Sequence, residues 1–342
     1  VVGEAVGDAE QDFETGRPVA LERAEVLEDA RQDRIQYPSD IRGPAVEAIR
    51  AREGCPMKDS LATVGGGRRL SYTEIGDPNG SCIFFFHGAP MSRLHLVGLD
   101  RQLVERALRV VSPDRPGYGK SSPQPNRSIT DWPADVAALA DALAINRFAV
   151  AGHSSGGPYA VACAALLPDR VSAGLVIAGV TDMAWPGAWE GYPEVETKLM
   201  RMNEEKDLVG WCVEHFGSDG SGFFAASPFP LPEPDEALLA DGEAGTAIRS
   251  AVDEAFRQGV AGYAQDVFIQ ARPWPFDPAR VAAPVDVVHG ESDTLIPMAH
   301  SRHTAESIPG SRFHTLAGQG HFTILSELPS LASALVSRRG RR

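Results

Sequence analysis

Several short apolar runs with no polar alternation limit what this chain can fold into. SCIFFFHG (81–88), the strand-like end of LVERALRVVSPD, NRFAVAG (146–152), RVSAGLVIAG (170–179) and PVDVVHG (284–290) are each of strand length and partly β-branched or aromatic. A strand with one face in water alternates apolar with polar residues, whereas one that is apolar throughout is covered on both faces. Helical stretches lie between these runs. SITDWPADVAALADALAI is amphipathic with a Ser/Thr/Asp start, and YAVACAALLP is rich in Ala and Leu and stopped by Pro168. Such alternation predicts an α/β fold, a mostly parallel doubly wound sheet with helices on both faces. LATVGGGRRLSYTEIG predicts a hairpin ahead of the sheet, and SRFHTL a last strand.

The alternation is interrupted once. Residues 181–275 hold helical segments around the loop SPFPLPEPD, and an unstructured loop of that length is implausible in a compact domain. We expect a helical cap there, inserted between the two parts of an α/β core at 58–180 and 276–342. Residues 1–57 are more acidic and less aromatic and contain two helix-like stretches. They are expected to form an N-terminal helical extension that packs on the core or makes a homodimer contact.

Composition narrows the function classes. A net charge of −14 argues against nucleic acid and anionic membrane surfaces as partners. No run of eighteen apolar residues is available to span a bilayer. Cys55, Cys82, Cys163 and Cys212 are scattered, without C-x-x-C spacing or neighbouring histidines, so neither a disulfide framework nor a metal site is expected. With no signal-peptide pattern at the start, a cytoplasmic location is the expectation.

The chemistry-bearing stretch is VAGHSSGGPYA (150–160), where a strand turns directly into a helix. So sharp a turn strains its central residue and crowds the residues two before and two after it, hence G-x-S-x-G. Centring the pattern on Ser154 puts Gly152 and Gly156 at the crowded positions. Centring it on Ser155 would put His153 there, so Ser154 is the candidate nucleophile.

A serine hydroxyl needs a base, and the base needs an acid to fix its tautomer. In a doubly wound sheet these groups gather past the carboxyl ends of strands. Asp293 follows the strand PVDVVHG by three residues, with Glu291 and Asp182 as rivals for the acid. His321 follows the last strand after the turn GQG. Among the other histidines, His153 is expected to point away from the reaction, and His300 and His303 to be solvated on the helix after Pro297. His87 is expected to shape the tight turn of FFFHGAPMSR, whose Ala89 N–H, with that of Ser155, is the candidate oxyanion donor.

HGAP, DRPGYGKSS, GHSSG, HGESD and GQGHF, in this order, resemble the landmarks of the α/β-hydrolase superfamily, in its capped, esterase-like serine-hydrolase branch. The resemblance spans about Ser60 to Ser337. It implies Ser154 as nucleophile, Asp293 as acid, His321 as base, Ala89 and Ser155 as oxyanion donors, and no cofactor or metal. The DRPGYGKSS loop is given a structural role. A serine at the elbow departs from the epoxide-hydrolase and haloalkane-dehalogenase branches, which use a carboxylate. HGAPM departs from the HGGPG of proline aminopeptidases, and Phe322 stands where carbon–carbon bond hydrolases often carry Trp. Ester hydrolysis is therefore the expected reaction, on a small, neutral, apolar ester or lactone, with Trp185, Trp189 and Phe322 as candidate substrate-binding residues. The alternatives are carbon–carbon bond hydrolysis or another cofactor-free reaction on the same triad, and a non-catalytic small-molecule receptor.

Overall fold

The computed structural model describes residues 58–226 and 231–337. The expected N-terminal helices (1–57) and Cys55 lie outside the described residues. β1 (Lys58–Val64) and β2 (Arg68–Gly76) form the antiparallel hairpin, turned at Gly66 and Gly67, whose φ of 70° and 75° suit glycine. β3 (Ser81–Phe86), β4 (Leu108–Pro113), β5 (Phe148–His153), β6 (Val171–Ile177), β7 (Val285–Gly290) and β8 (Arg312–Leu316) follow. Among the described residues they make one eight-stranded sheet, ordered β1-β2-β4-β3-β5-β6-β7-β8. β2 pairs antiparallel with β1 and β4, and all other neighbours are parallel.

The two-sided strands come from side-chain alternation. Phe84, Phe86 and Val150 point to one face, where they meet Trp132, Leu139 and Tyr159. Ile83, Phe85 and Ala151 point to the other, against Leu103, Leu328 and Leu335. Burying each such ring or branched chain contributes roughly 1.5–3 kcal/mol. In chain order the helices are α1 (Asp100–Glu105), α2 (Trp132–Ala142) and α3 (Gly157–Leu166), then α4 (Glu194–Met200), α5 (Glu205–Phe216), α6 (Phe223–Ala226), α7 (Glu233–Ala240), α8 (Ala244–Ala255) and α9 (Ala261–Gln270), and finally α10 (Met298–Ser307) and α11 (Leu328–Ser337). α2 and α3 cover the first face; α1 and α11 cover the second.

Helices α4 to α9 all fall between β6 and β7. Leu208, Phe216, Val252, Phe256 and Tyr263 of this insert share one apolar cluster with Met91, Leu94 and Tyr118 from loops at the sheet's edge. Trp274 instead belongs to the sheet's own core, stacked on Phe276. The sheet order also sets where a site can form. From β3 the chain goes to β4 on one side, and from β5 to β6 on the other. The loops leaving the carboxyl ends of β3 and β5 thus diverge and open a crevice between them.

Candidate active site

Ser154 sits at the end of β5, on the floor of that crevice. Its φ is +53°, in the left-handed region that L-residues with a Cβ adopt at a cost. The turn is held by close packing. A Cβ on Gly152 would lie 2.2 Å from the Gly156 carbonyl oxygen, and one on Gly156 only 2.1 Å from that of Phe86. Both positions admit hydrogen alone, which is the crowding the pattern predicts.

His321, just beyond β8, donates from Nδ1 to Asp293 Oδ2 at 2.8 Å. A carboxylate only accepts, so Nδ1 carries the hydrogen and Nε2 is left as the ring's basic nitrogen. Asp293 is fixed in turn, since its Oδ1 accepts the amides of Leu295 (2.8 Å) and Ile296 (3.0 Å). Its side chain is buried, which alone would raise its pKa. His321, His289 and the Ile296 amide together outweigh that and hold the carboxyl below its usual range. The rival acids are engaged elsewhere: Asp182 accepts the amides of Ala184 and Trp274, and Glu291 the hydroxyl of Thr315.

His153 does not point away from this group. Its ring packs on that of His321 with centroids 4.6 Å apart, and its Nε2–H donates to the His321 carbonyl at 2.8 Å. Side chains alternate along a strand, so His153, next after Gly152 in β5, turns away from the Gly156 side and reaches the loop after β8. Burial, reinforced by the charge His321 can carry, pushes its pKa down to about 3, so it stays neutral.

The loop after β3 faces the elbow closely: a Cβ on Gly88 would lie 3.3 Å from Ser154 Cβ. His87 donates from Nδ1 to the Gly88 carbonyl at 2.7 Å, and its bare Nε2 accepts the Arg115 amide at 3.3 Å. With that carbonyl fixed, the planar trans peptide turns the Ala89 N–H to the opposite side. Arg115 braces both halves of the crevice. Its guanidinium donates to the His87 carbonyl at 2.5 Å and to Ser155 Oγ at 3.4 Å. Asp266 on α9 neutralises it at 2.5 Å and also pairs with Arg127, which bonds Tyr159 Oη at 2.9 Å. All of these groups are fully or almost fully buried. Burial opposes a charge on Asp266, but the two guanidiniums hold its carboxyl far below the usual range.

Of the candidate pocket residues, Phe322 lies edge-on to His321 and shares the apolar cluster of Met91 and Leu208. Trp185 stacks on His303 at 4.2 Å, and Trp189 lies under the Arg201 guanidinium at 4.7 Å. His300 is buried, not solvated: it donates to the Ala188 carbonyl at 2.7 Å, and burial lowers its pKa to about 4. His303 is half-buried and bonds Thr181 Oγ1. The start of the insert folds over α10 and covers both. Sequence reasoning missed Arg115, Asp266 and Asp235. Arg115 stands in the quoted DRPGYGKSS loop, but the two acids carry no local signature. Among the described residues no group of three or more His, Cys, Asp or Glu side chains could hold a metal ion. No described helix is long and apolar enough to cross a membrane.

A family model described as the alpha/beta hydrolase fold matches residues 82–328. The chain is 25% identical to an uncharacterized hydrolase of Bacillus subtilis, YcgS, across 79% of this chain and 95% of that protein. It is also 25% identical to a non-heme chloroperoxidase of Streptomyces lividans, across 76% of this chain and 91% of the other. Among solved structures, a thermophilic esterase of Thermogutta terrifontis superposes with a TM-score of 0.60 at 22% identity, covering 83% of this chain and 98% of that one.

Proposed function

The chain belongs to the alpha/beta hydrolase fold family, and from that premise we propose that it is a serine hydrolase cleaving a neutral, apolar carboxylic ester or lactone. The observation that carries this reading is the His321–Asp293 pair at 2.8 Å, whose imidazole packs on His153, the residue before a serine held at positive φ. In this reading His321 Nε2 takes the Ser154 proton as Oγ attacks the carbonyl carbon. The amides of Ala89 and Ser155 stabilise the oxyanion, which contributes several kcal/mol. The oxyanion collapses, the carbon–oxygen bond to the leaving group breaks, and His321 returns the proton to the departing alcohol. Water, deprotonated by the same nitrogen, then attacks the acyl-enzyme and releases the acid with Ser154 restored.

The insert serves as the cap. Between residues 181 and 275 there are 17 acidic and 6 basic side chains, a balance that repels anionic substrates. Phe322 and Met91 supply apolar wall beside the base. Similarity to a chloroperoxidase favours one second reading, in which hydrogen peroxide replaces water at the acyl-enzyme and the product is a peracid.

The test is release of p-nitrophenol from esters of increasing chain length by the parent and by Ser154→Ala. We expect the parent to turn over and the variant to lose about 10⁴-fold or more in kcat. Equal release by both would refute Ser154 as nucleophile. Added peroxide that yields peracid at the expense of free acid would select the second reading.

A further inference from the structure

His321 is held at three atoms, and the third holder comes from an unexpected place. Nδ1 is fixed by Asp293, from the loop after β7, and the carbonyl by His153, the last residue of β5. The backbone N–H of His321 donates at 2.6 Å to Oδ2 of Asp235, a residue 86 positions earlier, in the first turn of α7. Oδ1 of the same carboxylate accepts the amides of Phe322 at 3.0 Å and Thr323 at 2.9 Å. Asp235 is fully buried. Gly320 makes room for it, since a Cβ there would lie 2.5 Å from the carboxylate.

These three amides open the helical stretch that begins at Thr323 and continues into α11. Such amides are ordinarily satisfied by a Ser, Thr, Asp or Asn at the cap position. Here that position is Phe322, which makes no side-chain cap hydrogen bond. The anion is supplied by the insert instead, and it meets the positive end of the helical stretch.

We propose that Asp235 is a positioning residue that makes the alignment of His321 depend on α7 being seated. When α7 leaves its seat, residues 321–323 lose three hydrogen bonds together, and the His321 ring loses an anchor that fixes where its Nε2 points. Closing the insert over a substrate thereby also assembles the base. This inference rests on the reading of His321 as general base.

The test compares the parent with Asp235→Asn, Asp235→Ala and, as a control, Glu236→Gln, an exposed neighbour in the same turn. Asn keeps the size of Asp but sets an NH₂ donor against at least one amide donor. Misplacing a catalytic group by about 1 Å costs on the order of 100-fold. We expect kcat for p-nitrophenyl esters and the rate of fluorophosphonate labelling of Ser154 to fall about 10- to 100-fold in both Asp235 variants, with KM little changed. The far-downfield proton resonance of the His321 Nδ1–H should broaden or vanish in the same two variants and persist in the control. A raised KM with parental kcat and resonance would overturn the proposal and leave Asp235 a pocket-shaping residue. If the parent neither hydrolyses esters nor labels, the ester reading fails, and the resonance alone still decides whether Asp235 holds His321. Hydrogen exchange on the parent is the check that needs no variant. The amides of residues 321–323 should open together with those of α7, and protection that outlasts α7 would overturn the coupling.

Discussion

Ser154 carries the sharpest cost of any single residue in the site. A left-handed conformation costs roughly 1–2 kcal/mol for a residue with a Cβ, and Ser154 is held there by the crowding at Gly152 and Gly156. Two substitutions of Ser154 should therefore differ in stability. Ser154→Gly relieves the strain and Ser154→Ala keeps it, so the glycine variant should be the more stable, by up to about 1 kcal/mol after the extra freedom of an unfolded glycine is subtracted. Side-by-side calorimetry would check this, and a lower Tm for the glycine variant would mean that the turn is not strained. This turn was legible in the sequence because its constraint is local, with two hydrogens required at fixed offsets from one serine. Asp235 was not legible, because its partners are backbone amides 86 or more positions away, and backbone groups leave no mark on residue identity.

Among the elements, the strands are the most readable part. Burial on both faces forces an apolar run, and β5, β6 and β7 are buried along their whole length. The helices of the insert are less readable, because what holds α9 to the sheet is an ionic network. Asp266 joins Arg115, from the loop after β4, to Arg127, ahead of α2, and accepts Tyr159 Oη from α3 at 2.8 Å. Arg115 and Arg127 are nearly invisible to solvent, so removing their shared partner leaves two uncompensated charges. Asp266→Ala should lose about 3–5 kcal/mol of stability, read as a lower urea midpoint with the slope unchanged. A loss below about 1 kcal/mol, the size of an exposed ion pair, would mean that water reaches the network.

For the molecule as a whole, the buried histidines set its response to acid. His87, His95, His153, His289 and His300 all have lowered pKa values, chiefly because burial disfavours their charged forms, with His153 at about 3 and His300 at about 4. Unfolded, each would titrate near 6.5. Below that pH the unfolded chain therefore binds protons that the folded one does not. The stability is present in full above pH 6.5 and is lost as the pH falls, down to about pH 4 for His300 and pH 3 for His153. Each histidine adds about 1.4 kcal/mol per pH unit within its window. Denaturant midpoints should fall steeply from pH 6.5 to 5, whereas a flat profile would mean that these rings are charged in the fold. The insert has a consequence of another kind, for anyone who would redesign the protein. Exchanging residues 178–284 for another protein's segment would remove Asp235 and Asp266 as well. A donor segment without acids at those two points would strand two guanidiniums in a dry interior and leave residues 321–323 uncapped. A graft must carry both anchors along with its new walls.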